Sequence, residues 1–484
     1  MFRTQRVRLR LVRAFQAQAP HHRFTQGSQP APASSNVAGY VAAASAIAAI
    51  GAWWSIDTPD QVPRLESRPD QQHVVAELDP SKAEVTRILS QEAYSFVARN
   101  IPGIERYDGA RLASNSPCED RFTHGLVSPW HNGGSPWLAL ALFDGHAGWQ
   151  TAEFLEKNLI PSVRHSLSRI EPPPDGQVTP ERRLQGAIMK AFVHLDDSII
   201  KAAEDASESD QPLQEKVRRF APAFAGSCAL LSLYDPTTSR LHVACTGDSR
   251  AVLGRQSPQG KWEAVPLSTD QTGSNAAEVA RLNAEHPGEE GLAQHGRVLG
   301  LVVSRAFGDG RWKWPSEAAR SFSRRFCGPG ALPPKYNIQT PPYMTAEPVV
   351  TTTTLEPGRP CFLILATDGM WDRLSNEQAV DLVAAWLDSG SPPGAASAGE
   401  PEPASYAPFD FGAFREGVSP GFVKERMTIQ DDNAAVHLMR NSLGGNHSEL
   451  IAGRLALTPP YSRNRRDDIT IQVVFFNNAI SSGK

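Results

Sequence analysis

Trp137-Leu138-Ala139-Leu140-Ala141-Leu142-Phe143-Asp144-Gly145-His146 is the stretch on which the fold turns. An unbroken apolar run of strand length that ends in a turn signal predicts a buried β-strand. An acidic residue stands at its edge. The same arrangement recurs at Cys361–Thr367, which leads into Asp368-Gly369-Met370-Trp371-Asp372. A third strand-like run opens with Asp467-Asp468-Ile469-Thr470-Ile471. Acidic residues at strand edges, far apart in sequence, can converge on one point and so build an oxygen-rich metal site without a contiguous motif.

Working outward, Ser227–Tyr234, the Asp235-Pro236 turn and Leu241–Cys245 read as a hairpin. Thr246-Gly247-Asp248-Ser249-Arg250 is a tight turn into Ala251–Leu253, and Ile469–Phe476 is the last strand. Helices are expected after Asp79-Pro80, where Val85, Ile88, Leu89 and Phe96 recur at helix-like intervals, and around Gln150–Leu159. A further helix should open at Ser375, with Gln378 completing a capping box, and bury Val380, Leu382, Val383 and Leu387. Strands joined by hairpins with helices between some of them predict an α+β fold: an antiparallel β-sandwich flanked by α-helices, in α-β-β-α layers. Residues 311–342 and the Pro/Gly/Ala/Ser-rich residues 389–408 read as insertions.

The chain has 484 residues, 40% hydrophobic and 21% charged, as expected of a folded protein with a large core. A formal net charge of −4 argues against a nucleic-acid partner. The five cysteines are odd in number and lack CxxC spacing, which favours buried free thiols over disulfides or zinc. Arg3, Arg6, Arg8, Arg10, Arg13 and Arg23 precede the first acidic residue, Asp57, so residues 1–35 have the Arg-rich, acid-free character of a mitochondrial presequence. Val37–Trp54 carries no charge and, as a helix, would be about 27 Å long; residues 36–55 are therefore a candidate span of the mitochondrial inner membrane or an Ala-rich segment. Residues 56–77 read as a linker, 78–478 as the folded domain and 479–484 as a tail.

The candidates for chemistry are Glu119, Asp120, Asp144, Asp248, Asp368, Asp372 and Asp467. Carboxylates gathered about 4 Å apart repel by roughly 4 kcal/mol per pair at an effective dielectric near 20, and they relieve this by binding protons or divalent cations. An all-oxygen donor set prefers Mg²⁺ or Mn²⁺ to zinc. Such ions acidify water and orient a phosphoryl oxygen. His146, two residues beyond Asp144, can protonate a leaving alkoxide.

In this order the residues resemble the metal-dependent, type 2C serine/threonine protein phosphatases. The likeness spans Glu119-Asp120, Asp144-Gly145-His146, Gly226-Ser227, Thr246–Val252, Ser304-Arg305-Ala306-Phe307-Gly308-Asp309, Ala346-Glu347-Pro348, Thr367–Asp372 and Arg466–Thr470. Within the family the chain is most similar to the mitochondrial pyruvate dehydrogenase phosphatases, through Ala147, Ala113-Ser114-Asn115, Ala284–Pro287, Trp312-Lys313-Trp314 and Asn433–Leu438.

The resemblance implies two antiparallel sheets face to face and a phosphoprotein substrate such as the pyruvate dehydrogenase complex, hydrolysed by a water activated between two Mg²⁺ or Mn²⁺ ions. It implies that Asp144 bridges both metals and that the Gly145 carbonyl binds one of them. Asp368 and Asp467 ligate the other, and Glu119 or Asp120 holds its waters. Asp248 and Asp372 match a third, weaker site, and His146 matches the general acid. The family places a phosphate-gripping arginine where this chain has Asn115; Arg121 and Arg111 are the candidate replacements. Asp270-Gln271 stands where the family has Asp-His. A silent adaptor of the same fold, or a hydrolase of small phosphate metabolites, are the competing functions.

Overall fold

The computed structural model describes residues 81–128, 135–170, 180–389 and 421–477. The presequence, the 37–54 segment, the linker, all but the first residue of the 389–408 insertion and the C-terminal tail lie outside the described residues. Among the described residues, no helix is long and apolar enough to cross a membrane.

Two antiparallel sheets carry the fold. The main strands, in chain order, are β1 (Tyr94–Val97), β2 (Ile104–Leu112), β3 (Arg121–Val127), β4 (Trp137–Phe143), β5 (Ala229–Asp235), β6 (Arg240–Thr246), β7 (Arg250–Gln256), β8 (Trp262–Pro266), β9 (Val349–Thr354), β10 (Cys361–Ala366) and β11 (Ile469–Phe476). One sheet runs β1-β2-β11-β10-β7-β8 and the other β9-β6-β5-β4-β3. Helices cover the outer faces: α1 (Lys82–Leu89), α2 (Gln150–Ser168), α3 (Glu181–Glu208), α4 (Leu213–Phe224), α5 (Asn376–Asp388) and α6 (Ala434–Leu443).

The unbroken apolar runs follow from this layering. Side chains alternate between the faces of a strand. On β4, Leu138, Leu140 and Leu142 enter the core between the sheets with Leu363, Leu365 and Val474. Ala139, Ala141 and Phe143 point the other way, onto Leu155, Leu159 and Phe192 of α2 and α3. On β10, Phe362, Ile364 and Ala366 pack under Val380, Val383 and Leu438 of α5 and α6. A strand covered on both faces has no solvent side, so no polar alternation survives in its sequence. The expected sandwich with outer helices is the observed one.

Four expectations differ in detail. Leu387, expected to be buried on α5, is 36% exposed. α1 stops at Leu89, where Ser90 caps it, and Phe96 lies in edge strand β1, 44% exposed, rather than on a helix. α2 runs on to Ser168. Residues 311–342 hold an ordered helix, Ser316–Phe326, docked on α4 through a Phe220–Phe326 stack with centroids 4.3 Å apart. The capping box at Ser375 and Gln378 is present. All five cysteines are free, with Cys228, Cys245 and Cys361 buried.

Candidate active site

Strand ends deliver the acidic residues to one end of the sandwich. Asp144 follows β4, and its carbonyl accepts the Cys228 N–H at 2.9 Å, which fixes the exit from the strand. Gly145 pairs with Ser227, and a Cβ there would run into the Glu119 carbonyl. Asp248 lies in the β6–β7 turn, where Gly247 takes φ +106° and leaves no room for a Cβ beside the Cys228 sulfur. The Gly247 N–H donates to Gln271 Oε1 at 2.7 Å, and Gln271 Nε2 donates to the Cys245 carbonyl at 3.0 Å. The glutamine in the family's histidine position thus locks this turn. Asp368 opens the single helical turn Asp368–Trp371 after β10.

Asp144, Asp248 and Asp368 meet, each offering a carboxylate oxygen within 4.8 Å of the others. Burial, then the charge of neighbouring carboxylates, holds Asp144 and Asp368 above the usual carboxylate range and pushes Asp248 up to about 7. The cluster therefore takes up protons or cations near neutral pH. The Cys228 thiol donates to Asp248 Oδ1 at 3.3 Å, and burial raises its own pKa, so it stays a thiol. The three gathered donors are all carboxylate oxygens, which suits Mg²⁺ or Mn²⁺.

The other expected residues surround this centre. Asp467 is not one of the three: its carboxylate pairs with Arg463 and accepts the Asp468 N–H at 2.7 Å. Its Cβ still lies 3.1 Å from where a Cβ on Gly369 would stand, beside the Asp368 turn. Asp120 is buried and accepts from the hydroxyls of Thr470 at 2.7 Å and Thr367 at 3.0 Å. Glu119 accepts the Gly148 N–H at 2.5 Å and the Asn115 amide at 2.6 Å. Asp372 closes the Asp368 turn, its N–H bonded to the Asp368 carbonyl at 2.8 Å, outside the three-carboxylate group.

Both expected phosphate contacts are turned toward protein partners. The Asn115 amide is spent on Glu119. Arg121 folds back on its own turn, donating to the Asp120 carbonyl at 2.7 Å. Arg111 joins Glu92 and the Asp120 carbonyl, at 2.7 and 2.9 Å.

Two functional relationships escaped sequence reasoning. Asp468 accepts the N–H groups of Ser114, Asn115 at 3.0 Å and Glu119 at 2.7 Å, which shapes the loop carrying Glu119 and Asp120. Asp309 accepts His146 Nε2 at 2.7 Å. Burial disfavours the charged imidazole, but the Asp309 charge and hydrogen bond outweigh it and hold His146 above its ordinary value. Asp309 and Asp468 both lie in stretches that carried the resemblance, so proximity to a motif was the available signal.

A sandwich whose strand ends gather three carboxylates near a histidine held above its ordinary value suits metal-assisted phosphoester hydrolysis. The chain belongs to the protein phosphatase 2C family, whose model matches residues 108–404, and it is a protein serine/threonine phosphatase. It is 40% identical over 387 residues to a protein phosphatase 2C homolog of Schizosaccharomyces pombe, covering 79% of this chain and 82% of that one. It is 35% identical over 436 residues to the mitochondrial [pyruvate dehydrogenase [acetyl-transferring]]-phosphatase 1 of Saccharomyces cerevisiae, covering 83% and 73% of the two chains. With the human mitochondrial phosphatase 2 of the same name it shares 32% identity over 440 residues, 77% of this chain and 78% of that one.

Proposed function

We propose that this phosphatase acts in mitochondria on phosphoserine or phosphothreonine of pyruvate dehydrogenase, with two Mg²⁺ or Mn²⁺ ions at its centre. The chemistry rests on one observation, the meeting of Asp144, Asp248 and Asp368. The substrate rests on the relatives named for pyruvate dehydrogenase and the location on their mitochondrial names, joined by the acid-free, Arg-rich N-terminus.

Asp144 and the Gly145 carbonyl, with Asp368 and Asp467, would hold the two ions; Asp248 and Asp372 would serve a weaker third. Glu119 and Asp120 would orient water around them. Bound ions supply Lewis acidity, acidifying water and polarising the phosphoryl group. His146 holds a proton for the departing serine or threonine oxygen. Asp309 takes Nε2, so that proton leaves from Nδ1.

The test is direct. Phosphorylated mitochondrial extract is incubated with the enzyme and Mn²⁺, and phosphosites are read by mass spectrometry. Loss of phosphoserine from pyruvate dehydrogenase ahead of other proteins supports the reading; unchanged pyruvate dehydrogenase phosphosites reject the substrate.

A further inference from the structure

Three carboxylates repel a phosphate dianion as strongly as they attract cations, so a substrate phosphate needs its own positive contact. The expected contacts are engaged elsewhere: Asn115 with Glu119, Arg121 with its own turn, Arg111 with Glu92. Arg463 is engaged too, with Asp467, but it differs in that its partner adjoins the carboxylate cluster. It sits on the short 3₁₀ turn Tyr461–Asn464, four residues ahead of Asp467, and pairs with the Asp467 carboxylate. Asp467 in turn abuts the Asp368-Gly369 turn. Arg463 also keeps 29% of its side chain exposed, so part of it faces solvent beside that turn.

We propose that Arg463 is the guanidinium that grips the substrate phosphate, replacing the arginine that Asn115 displaced. The inference rests on the phosphatase reading above. A guanidinium has five N–H donors in a planar fork. The Asp467 carboxylate accepts at one edge and leaves donors for a phosphate oxygen. Arginine is also the side chain best matched to two-pronged phosphate recognition. The rival role is a clamp that merely holds Asp467 in place.

The experiment compares wild type, R463Q and R463K as Mn²⁺-loaded enzymes. It measures KM and kcat for a phosphopeptide, the inhibition constant of inorganic phosphate, and Mn²⁺ affinity by calorimetry without substrate. Charge-assisted hydrogen bonds are worth about 1.5–3 kcal/mol. R463Q should therefore raise KM and the inorganic phosphate constant together by about 10- to 100-fold. Mn²⁺ affinity should hold or tighten, because Asp467 loses a competing cation. R463K should recover part of the phosphate affinity, since it keeps the charge and loses the fork. An active wild type whose R463Q variant is inhibited by inorganic phosphate within about twofold of the original overturns this inference alone. So does a fall in Mn²⁺ affinity large enough to account for the weaker phosphate, which is the clamp's signature. A wild type that neither binds Mn²⁺ nor hydrolyses the peptide overturns the phosphatase centre, and this inference with it.

Discussion

His146 Nε2 and Asp309 Oδ2 lie 2.7 Å apart, across 163 positions of sequence. Asp309 takes a left-handed φ of 51° at the head of the short helix Gly310–Lys313 and is almost fully buried. A strained backbone that aims a buried carboxylate at an imidazole is the arrangement expected at a working site.

Removing that carboxylate's charge should therefore show in a pH profile. His146 is held above its ordinary value, so its proton is present at lower pH and lost as pH rises through the raised value. Asp309→Asn should move the alkaline limb of kcat to lower pH and cut kcat by about 10- to 100-fold, within the usual contribution of acid–base catalysis. An unmoved alkaline limb would remove His146 as the acid.

Metal affinity should follow the cluster's titration. The carboxyls of Asp144, Asp248 and Asp368 are all raised, Asp248 to about 7, so protons compete with cations near neutrality. For the metal-free protein the sign is the same for each: neutral carboxyls favour the folded state at low pH, and that stability is lost as pH rises through each raised value, about 7 for Asp248. The gain in Tm on adding Mn²⁺ should thus grow steadily from pH 5.5 to pH 8. A gain independent of pH would mean the ion binds elsewhere.

Asp468 should matter for stability, through the loop that it anchors. It is 3% exposed and accepts three backbone N–H groups of the 114–119 loop. Asp468→Ala leaves those donors buried without an acceptor, and should cost about 3 kcal/mol in urea unfolding. Hydrogen exchange should show that loop losing protection. A change under about 1 kcal/mol would contradict the anchoring role.

Gly145 has no room to grow, because a Cβ would meet the Glu119 carbonyl. Gly145→Ala must push the 119–120 loop away from Asp144. Activity should fall by at least about tenfold while global stability changes by no more than about 1–3 kcal/mol, the usual cost of overpacking. Full activity would show that the loop's position does not matter.

The strands that frame the site were legible because they are covered on both faces. Ile469–Phe476 is buried at every position and was readable residue for residue. The long helix Glu181–Glu208 was missed, although Leu184, Ile188, Phe192, Leu195 and Ile199 mark a helical face. Phe96 fitted a helical spacing that the Ser90 cap cuts short; pairing with β2, a tertiary contact, decides its conformation. At the site, Asp144 and Asp368 were visible as acidic ends of apolar runs. The pairs His146–Asp309 and Arg463–Asp467 were not. The first joins loops far apart in the chain, and in the second Arg463 lies on a 3₁₀ turn that no periodicity announces while Asp467 lies beyond its end.

The convergence of Asp144, Asp248 and Asp368 is tested most directly by Mn²⁺ calorimetry on residues 76–484, run beside Asp144→Asn and Asp368→Asn, with phosphopeptide hydrolysis measured on the same samples. We expect the wild-type protein to bind Mn²⁺ and hydrolyse the peptide, chelator to abolish hydrolysis, and each variant to lose both binding at the tight site and activity by at least about 100-fold while keeping its fold by circular dichroism. Folded variants that bind Mn²⁺ and hydrolyse the peptide as the wild type does would contradict a metal centre at these carboxylates.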